Sequence, residues 1–125
     1  MAIDVFEHVE NYLEFLRNLR EKGKYKLFHI PLDMAALYVV RVWPILESRE
    51  QVGHIHYFSK DTALATLRDT GYEIIDYFYT PTLDLMSLKS VKSHLLRLLR
   101  KIGFKINKEL TVRILGGYSL MVLTK

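Results

Sequence analysis

The sequence predicts an α/β fold on a mostly parallel, doubly wound sheet. Two observations carry the prediction. Short apolar runs rich in β-branched and aromatic residues alternate with stretches of helical period, the order expected of parallel strands joined by crossover helices. The size is that of one domain, 125 residues, with a composition (50% apolar, 26% charged) that is ordinary for a globular protein. No apolar run approaches the roughly 18 residues that read as a membrane-spanning helix. The chain contains no cysteine, which excludes a disulfide framework and thiol catalysis. Its start lacks the basic and apolar segments of a signal peptide, so a cytoplasmic location is expected.

Taken in order, Ile3–Phe6 reads as the end of a strand. Val9, Tyr12, Leu13, Leu16 and Leu19 then follow helical spacing, which predicts an amphipathic helix over 9–22. Glu7 and Glu10 lie at its start, Arg20 and Lys22 at its end, as the helix dipole favours. Gly23 is its natural stop. KYKLFHIPL (24–32) reads as a buried strand closed by Pro31. Residues 34–43 suggest a short helix broken by Pro44. In VGHIHYFSKDTALATLRDTGYE, Ser59 is an N-cap, Ala63, Leu64 and Leu67 form the apolar face, and Gly71 ends the helix. YEIIDYFYT (72–80) is the next strand. LDLMSLKSVKSHLLRLLRKIGF (83–104) reads as a basic amphipathic helix. LTVRILGGYSLMVLTK (110–125) reads as a strand interrupted by Gly116–Gly117, either at a hairpin turn or at a bulge. This last strand follows a helical insertion, so an antiparallel direction is open to it.

Several stretches are familiar in this order. IDVFEHVENYLEFLRNLREKGKYKLFHIPLD, GHIHYFSKDTALATLRDTGYE and RILGGYSLMVLTK together resemble the second half of a class I S-adenosylmethionine-dependent methyltransferase. The resemblance covers nearly the whole chain. It implies strands four to seven of that fold, the last antiparallel, with 81–109 as a helical insertion or lid. The same resemblance implies S-adenosylmethionine as cofactor. The family's glycine-rich donor loop and the acid that holds the ribose have no counterpart here, since the only adjacent glycines are Gly116–Gly117. The expectation is therefore an acceptor-side half whose methyl transfer needs a complementary N-terminal half. The alternative is a non-catalytic module that self-associates through an exposed N-terminal strand edge.

Ligands of open α/β sheets lie beyond the carboxyl ends of the parallel strands. That rule and the resemblance select Asp4 and Glu7 as cofactor contacts and His8 as the candidate general base. A helix-start histidine bonded to backbone is the plainer reading of His8. Pro31, Asp33, His54, His56 and Tyr79 are the substrate-side candidates. Tyr38, Trp43, Tyr57 and Tyr79 suggest a partly apolar acceptor pocket, with a small molecule as acceptor. His54 and His56 share a face if extended, but a metal needs a third ligand that the spacing does not name, so no metal is expected. His29 reads as a satisfied, semi-buried strand residue and His94 as solvated.

The net charge is +4, which permits an anionic partner without requiring one. Residues 85–108 hold Lys89, Lys92, Arg97, Arg100, Lys101, Lys105 and Lys108 and no acid. The helix there lacks the interleaved aromatics that stack bases, so nucleic acid is not expected. Its stripe of Leu85, Leu88, Val91, Leu95, Leu98, Leu99 and Ile102 is read as a lid or core-packed face, with peripheral membrane contact through 85–105 as the less favoured reading.

Overall fold

The structure is a computed structural model and describes residues 1–82 and 90–125. In chain order these form β1 (Ala2–Ile3), a 3-10 turn (Phe6–His8), α1 (Tyr12–Arg20), β2 (Lys26–Pro31), α2 (Ala36–Arg41), α3 (Trp43–Glu47) and a π turn (Ser48–Val52). Then follow α4 (Lys60–Asp69), β3 (Ile74–Pro81), α5 (Val91–Ile106), α6 (Lys108–Leu115) and β4 (Tyr118–Thr124). The predicted basic helix begins in residues 83–89, with Leu85, Leu88 and Lys89. That part lies outside the described residues.

The fold is α/β, with a four-stranded mixed sheet in the order β1-β2-β4-β3. β1 and β2 pair in parallel, while β4 runs antiparallel to both β2 and β3. Three strands thus share one direction, but β1 and β2 are the one parallel pair of neighbours. The reversed last strand has a simple cause. The chain enters β4 at the end where β2 and β3 finish, with Leu32 N–H donating to Tyr118 C=O and Thr82 N–H to Gly117 C=O. From there it can only run back.

Register decides which face is covered. Phe28 pairs with Val122 and Ile30 with Leu120; all four are fully buried, together with Leu16 of α1, Ala63, Leu64 and Leu67 of α4, and Val112 of α6. The alternate residues Ile3, Leu27, His29, Met121, Leu123 and Phe78 lie on the other face. There Phe78 is 57% exposed and Ile3 47%. The doubly wound expectation is corrected accordingly: among the described residues the core lies on one side of the sheet, and the other side is open. The run KLFHIPL looks buried throughout, yet in β2 only every second side chain meets helices.

Several local signals act as expected. Ser59 and Thr62 form a reciprocal capping box at the start of α4, and Asn11 accepts the Glu14 N–H at the start of α1. Others differ. The first strand ends at Ile3 rather than Phe6, because Asp4 takes a left-handed backbone (φ 46) while its N–H still reaches His29 C=O. Pro44 opens α3 instead of breaking a helix, a place where its missing N–H loses nothing.

The largest difference is at 110–115, which is helix α6 and not strand. Asn107 caps it by accepting the Leu110 N–H at 3.0 Å, and Val112 drops into the core. Tertiary burial overrides the β propensity of Thr, Val and Ile. Gly116 and Gly117, both left-handed (φ 61 and 86), are the joint from α6 into β4, neither hairpin turn nor bulge. A Cβ on Gly116 would come within about 3 Å of the Tyr38 ring and Ala35.

In α5 the buried side is not the leucine stripe. Arg100 is buried and caps the end of α6, with Nε donating to Gly116 C=O and Nη2 to Leu115 C=O, both at 2.9 Å. Phe104 stacks on Tyr118 at 4.9 Å, and Gly103 closes against Thr111. The stripe of Val91, Leu95, Leu98, Leu99 and Ile102 is instead exposed, so the core-packed reading does not hold for it.

Two outcomes are expected. Phe28→Ala should lower unfolding free energy by about 3–5 kcal/mol in denaturant titrations, since the ring is wholly buried. Glu109 accepts from Lys60 Nζ at 2.6 Å and from Tyr79 Oη at 2.8 Å. Burial alone would raise its pKa, but these hydrogen bonds and the Lys60 and Arg113 charges outweigh burial and hold it below the ordinary carboxylate range. Its contribution is therefore present above the ordinary value of 4.5 and fades as pH falls through the lowered folded value. Urea titrations should show wild type more stable than Glu109→Gln at neutral pH, with the difference shrinking as pH falls below 4.5.

Candidate functional site

The first turn after β1 builds the site. Phe6 plugs the core, its ring edge-on to Phe28 and Phe58. The 3-10 turn closes with His8 N–H to Val5 C=O and Val9 N–H to Phe6 C=O. Planting Phe6 in the core carries Glu7 inside as well, where it is fully buried. The Glu7 carbonyl then accepts two backbone N–H groups, from Ile55 at 3.0 Å and His56 at 3.1 Å. These bonds lay the segment 53–57 across the turn.

That clamp assembles a cluster. Gly53, left-handed at φ 77, presents its carbonyl to His8 Nδ1 at 3.0 Å. His54, buried, has its Nδ1 2.5 Å from Asp33 Oδ2, and Asp33 stands just past the carboxyl end of β2. The His8 and His54 rings meet edge-to-face at 4.9 Å. His8 Nε2 lies 3.7 Å from Glu7 Oε1.

Acceptors set the tautomers. A carbonyl and a carboxylate can only accept, so both Nδ1 atoms carry a proton, and in the neutral rings Nε2 of His8 and of His54 holds the lone pair. Neither Glu7 carboxyl oxygen has a hydrogen-bond partner among the described residues. Burial pushes this carboxyl above the ordinary range. The Glu7 backbone N–H and the His54 and His8 charges offset that only in part. The hydrogen bond to Asp33 raises His54 against the opposing effect of burial.

Glu7, His8, His54 and Asp33 of the sequence-predicted set therefore converge. Asp4 turns away: its Oδ1 holds His29 Nδ1 at 2.7 Å, and His29 Nε2 reaches Thr80 Oγ1 at 2.9 Å, a polar chain along the open sheet face. His29 is thus satisfied and half-buried, and His94 is exposed, as expected. Pro31 ends β2 opposite Ser119. His56 does not share a face with His54; its Nε2 is bound at the Val9 carbonyl at 2.9 Å and its ring packs on Tyr12. Tyr79 projects onto the helix-covered face, where it donates to Glu109. The pairing of Asp33 with His54 is the element that sequence spacing misses, because it joins residues 21 apart through a loop.

A buried carboxyl without partners is a destabilising feature. Glu7→Met, similar in volume and apolar, should raise unfolding free energy by about 1–3 kcal/mol in urea titrations. A loss of stability instead would mean that the carboxyl is satisfied in the folded protein. Set against known proteins, the sequence matches no protein-family model and no curated protein, and the chemistry of the cluster rests on its own geometry.

Proposed function

We propose that the chain is the acceptor-side half of an S-adenosylmethionine-dependent methyltransferase-like domain. The observation that carries this reading is the convergence of Glu7, His8, His54 and Asp33 just beyond the carboxyl ends of β1 and β2, where open α/β sheets hold their ligands. The three strands of common direction and the reversed last strand also support it.

In this reading the acceptor sits over the cluster. When bound, S-adenosylmethionine would supply its sulfonium methyl to that acceptor, the electron pair of the broken S–CH3 bond staying on sulfur. The acceptor proton passes to His8 Nε2, the nitrogen that Gly53 leaves free, on a side chain 35% exposed. Glu7 lies toward the donor, and Pro31, Asp33 and His54 toward the acceptor, while Asp4, bound to His29 on the open sheet face, takes no part. A glycine-rich donor-binding half, in longer sequence or a separate polypeptide, completes the site.

Half a site binds weakly, so nuclear magnetic resonance is the suitable test. Titration with the demethylated cofactor to several millimolar should shift backbone resonances at residues 4–8 and 31–33. Shifts elsewhere, or none, would overturn the reading.

The non-catalytic reading has its own observation. β1 is an edge strand, and the open face beside it exposes Ile3, Leu123 and Phe78. Sedimentation velocity at tens of micromolar should then show a dimer that Ile3→Asp dissociates. A strict monomer contradicts that reading.

A further inference from the structure

We infer that Glu7, His8 and His54 form a binding site for a first-row divalent transition-metal ion, with Asp33 and the Gly53 carbonyl as the groups that orient the two imidazoles. One ligand atom from each of the three residues lies within 4.8 Å of the other two. Ligand atoms on one ion stand about 3–3.5 Å apart at bond lengths near 2.1 Å, so side-chain rotation closing the gap by an ångström or so suffices.

Three features distinguish this cluster from a chance gathering of polar groups. Glu7 is fully buried with both carboxyl oxygens unpartnered among the described residues, so it has ligand capacity unused by the protein. Each histidine has Nδ1 held by an acceptor, which points the lone pair to Nε2. That is the arrangement metal-ligating histidines adopt, the far nitrogen fixed by a carboxylate or carbonyl. The scaffold is rigid, since two backbone hydrogen bonds to the Glu7 carbonyl tie the His54 segment to the turn that carries Glu7 and His8.

The donor set names the ion class. Two imidazoles and one carboxylate suit Zn²⁺, Mn²⁺, Fe²⁺ or Co²⁺, whereas Mg²⁺ and Ca²⁺ take oxygen ligands. Three protein ligands leave coordination positions open toward the exposed side of His8. A hydroxyl bound there loses its proton more readily, so the ion would take over from His8 Nε2 the task of activating an acceptor. The site does not depend on the methyl-transfer reading and can stand or fall without it.

Co²⁺ and Zn²⁺ are the probes, added to the intact chain. Calorimetry with Zn²⁺ should give one site per chain, and Co²⁺ should produce visible absorption bands that Zn²⁺ abolishes. His8→Ala and Glu7→Gln should each weaken binding at least tenfold. Asp33→Asn should weaken it about 10–100-fold without removing a ligand. His56→Ala and His94→Ala should leave affinity unchanged. His8 is partly exposed, so its variant folds even if a Glu7 variant does not, and circular dichroism checks each. Absence of saturable binding, or binding that survives His8→Ala and falls with His56→Ala or His94→Ala, overturns the proposal. Metal binding without cofactor-induced shifts at residues 4–8 would retain the site and reject the methyltransferase reading.

Discussion

The buried carboxyl of Glu7 is the constraint around which the carboxyl end of the sheet is organised. A side chain of this kind belongs in water unless something compensates it. It is inside because Phe6, one residue earlier, is a core plug, and a 3-10 turn gives the chain no room to turn Glu7 outward. The same turn exposes the Glu7 carbonyl to Ile55 and His56 N–H, and that contact brings His54 over the carboxyl. One local conformation thus sets the burial of the acid, the position of both imidazoles and the use of Asp33. A fold selected for stability alone would place an apolar residue at position 7.

The sheet supplies the platform. β4, between β2 and β3, is paired along both edges and carries the fully buried Leu120 and Val122. It locks β2, whose end delivers Asp33. By contrast β1 contributes two residues and one edge of pairing, so the Glu7 turn is held less by the ladder than by Phe6 and the 53–57 segment. Arg100 ties α5 to the joint between α6 and β4, and the leucine stripe of α5 is left facing solvent with Lys92, Lys101 and Lys105 beside it.

Much of this was readable from residue order. Ser59 and Gly71 mark the boundaries of α4 because capping and left-handed stops depend on single residues, whereas α1 spans Tyr12–Arg20 rather than 9–22 and ends at Glu21, two residues before Gly23. Residues 74–81 and 118–124 form strands where aromatic and β-branched residues concentrate. What was not readable depends on neighbours distant in sequence. LTVRIL is helix because Val112 finds the core and Asn107 caps the turn, and neither fact lies in its propensity. The open sheet face was hidden because Leu27 and Met121 look like any buried strand residue. In the cluster, position relative to strand ends selected Glu7, His8 and Asp33, residues that the fold brings together. The separation of His54 from His56 was not visible, since the segment is held by hydrogen bonds to Glu7 and Val9 rather than extended as a strand.

Diffraction from crystals grown with Co²⁺, measured on both sides of the cobalt absorption edge, addresses the central claim most directly. The account predicts one anomalous peak among Glu7, His8 and His54, about 2.0–2.2 Å from each ligand atom, with Asp33 still bound to His54 Nδ1. A map with no peak at the cluster, or with the ion at His56 or His94 alone, would contradict it.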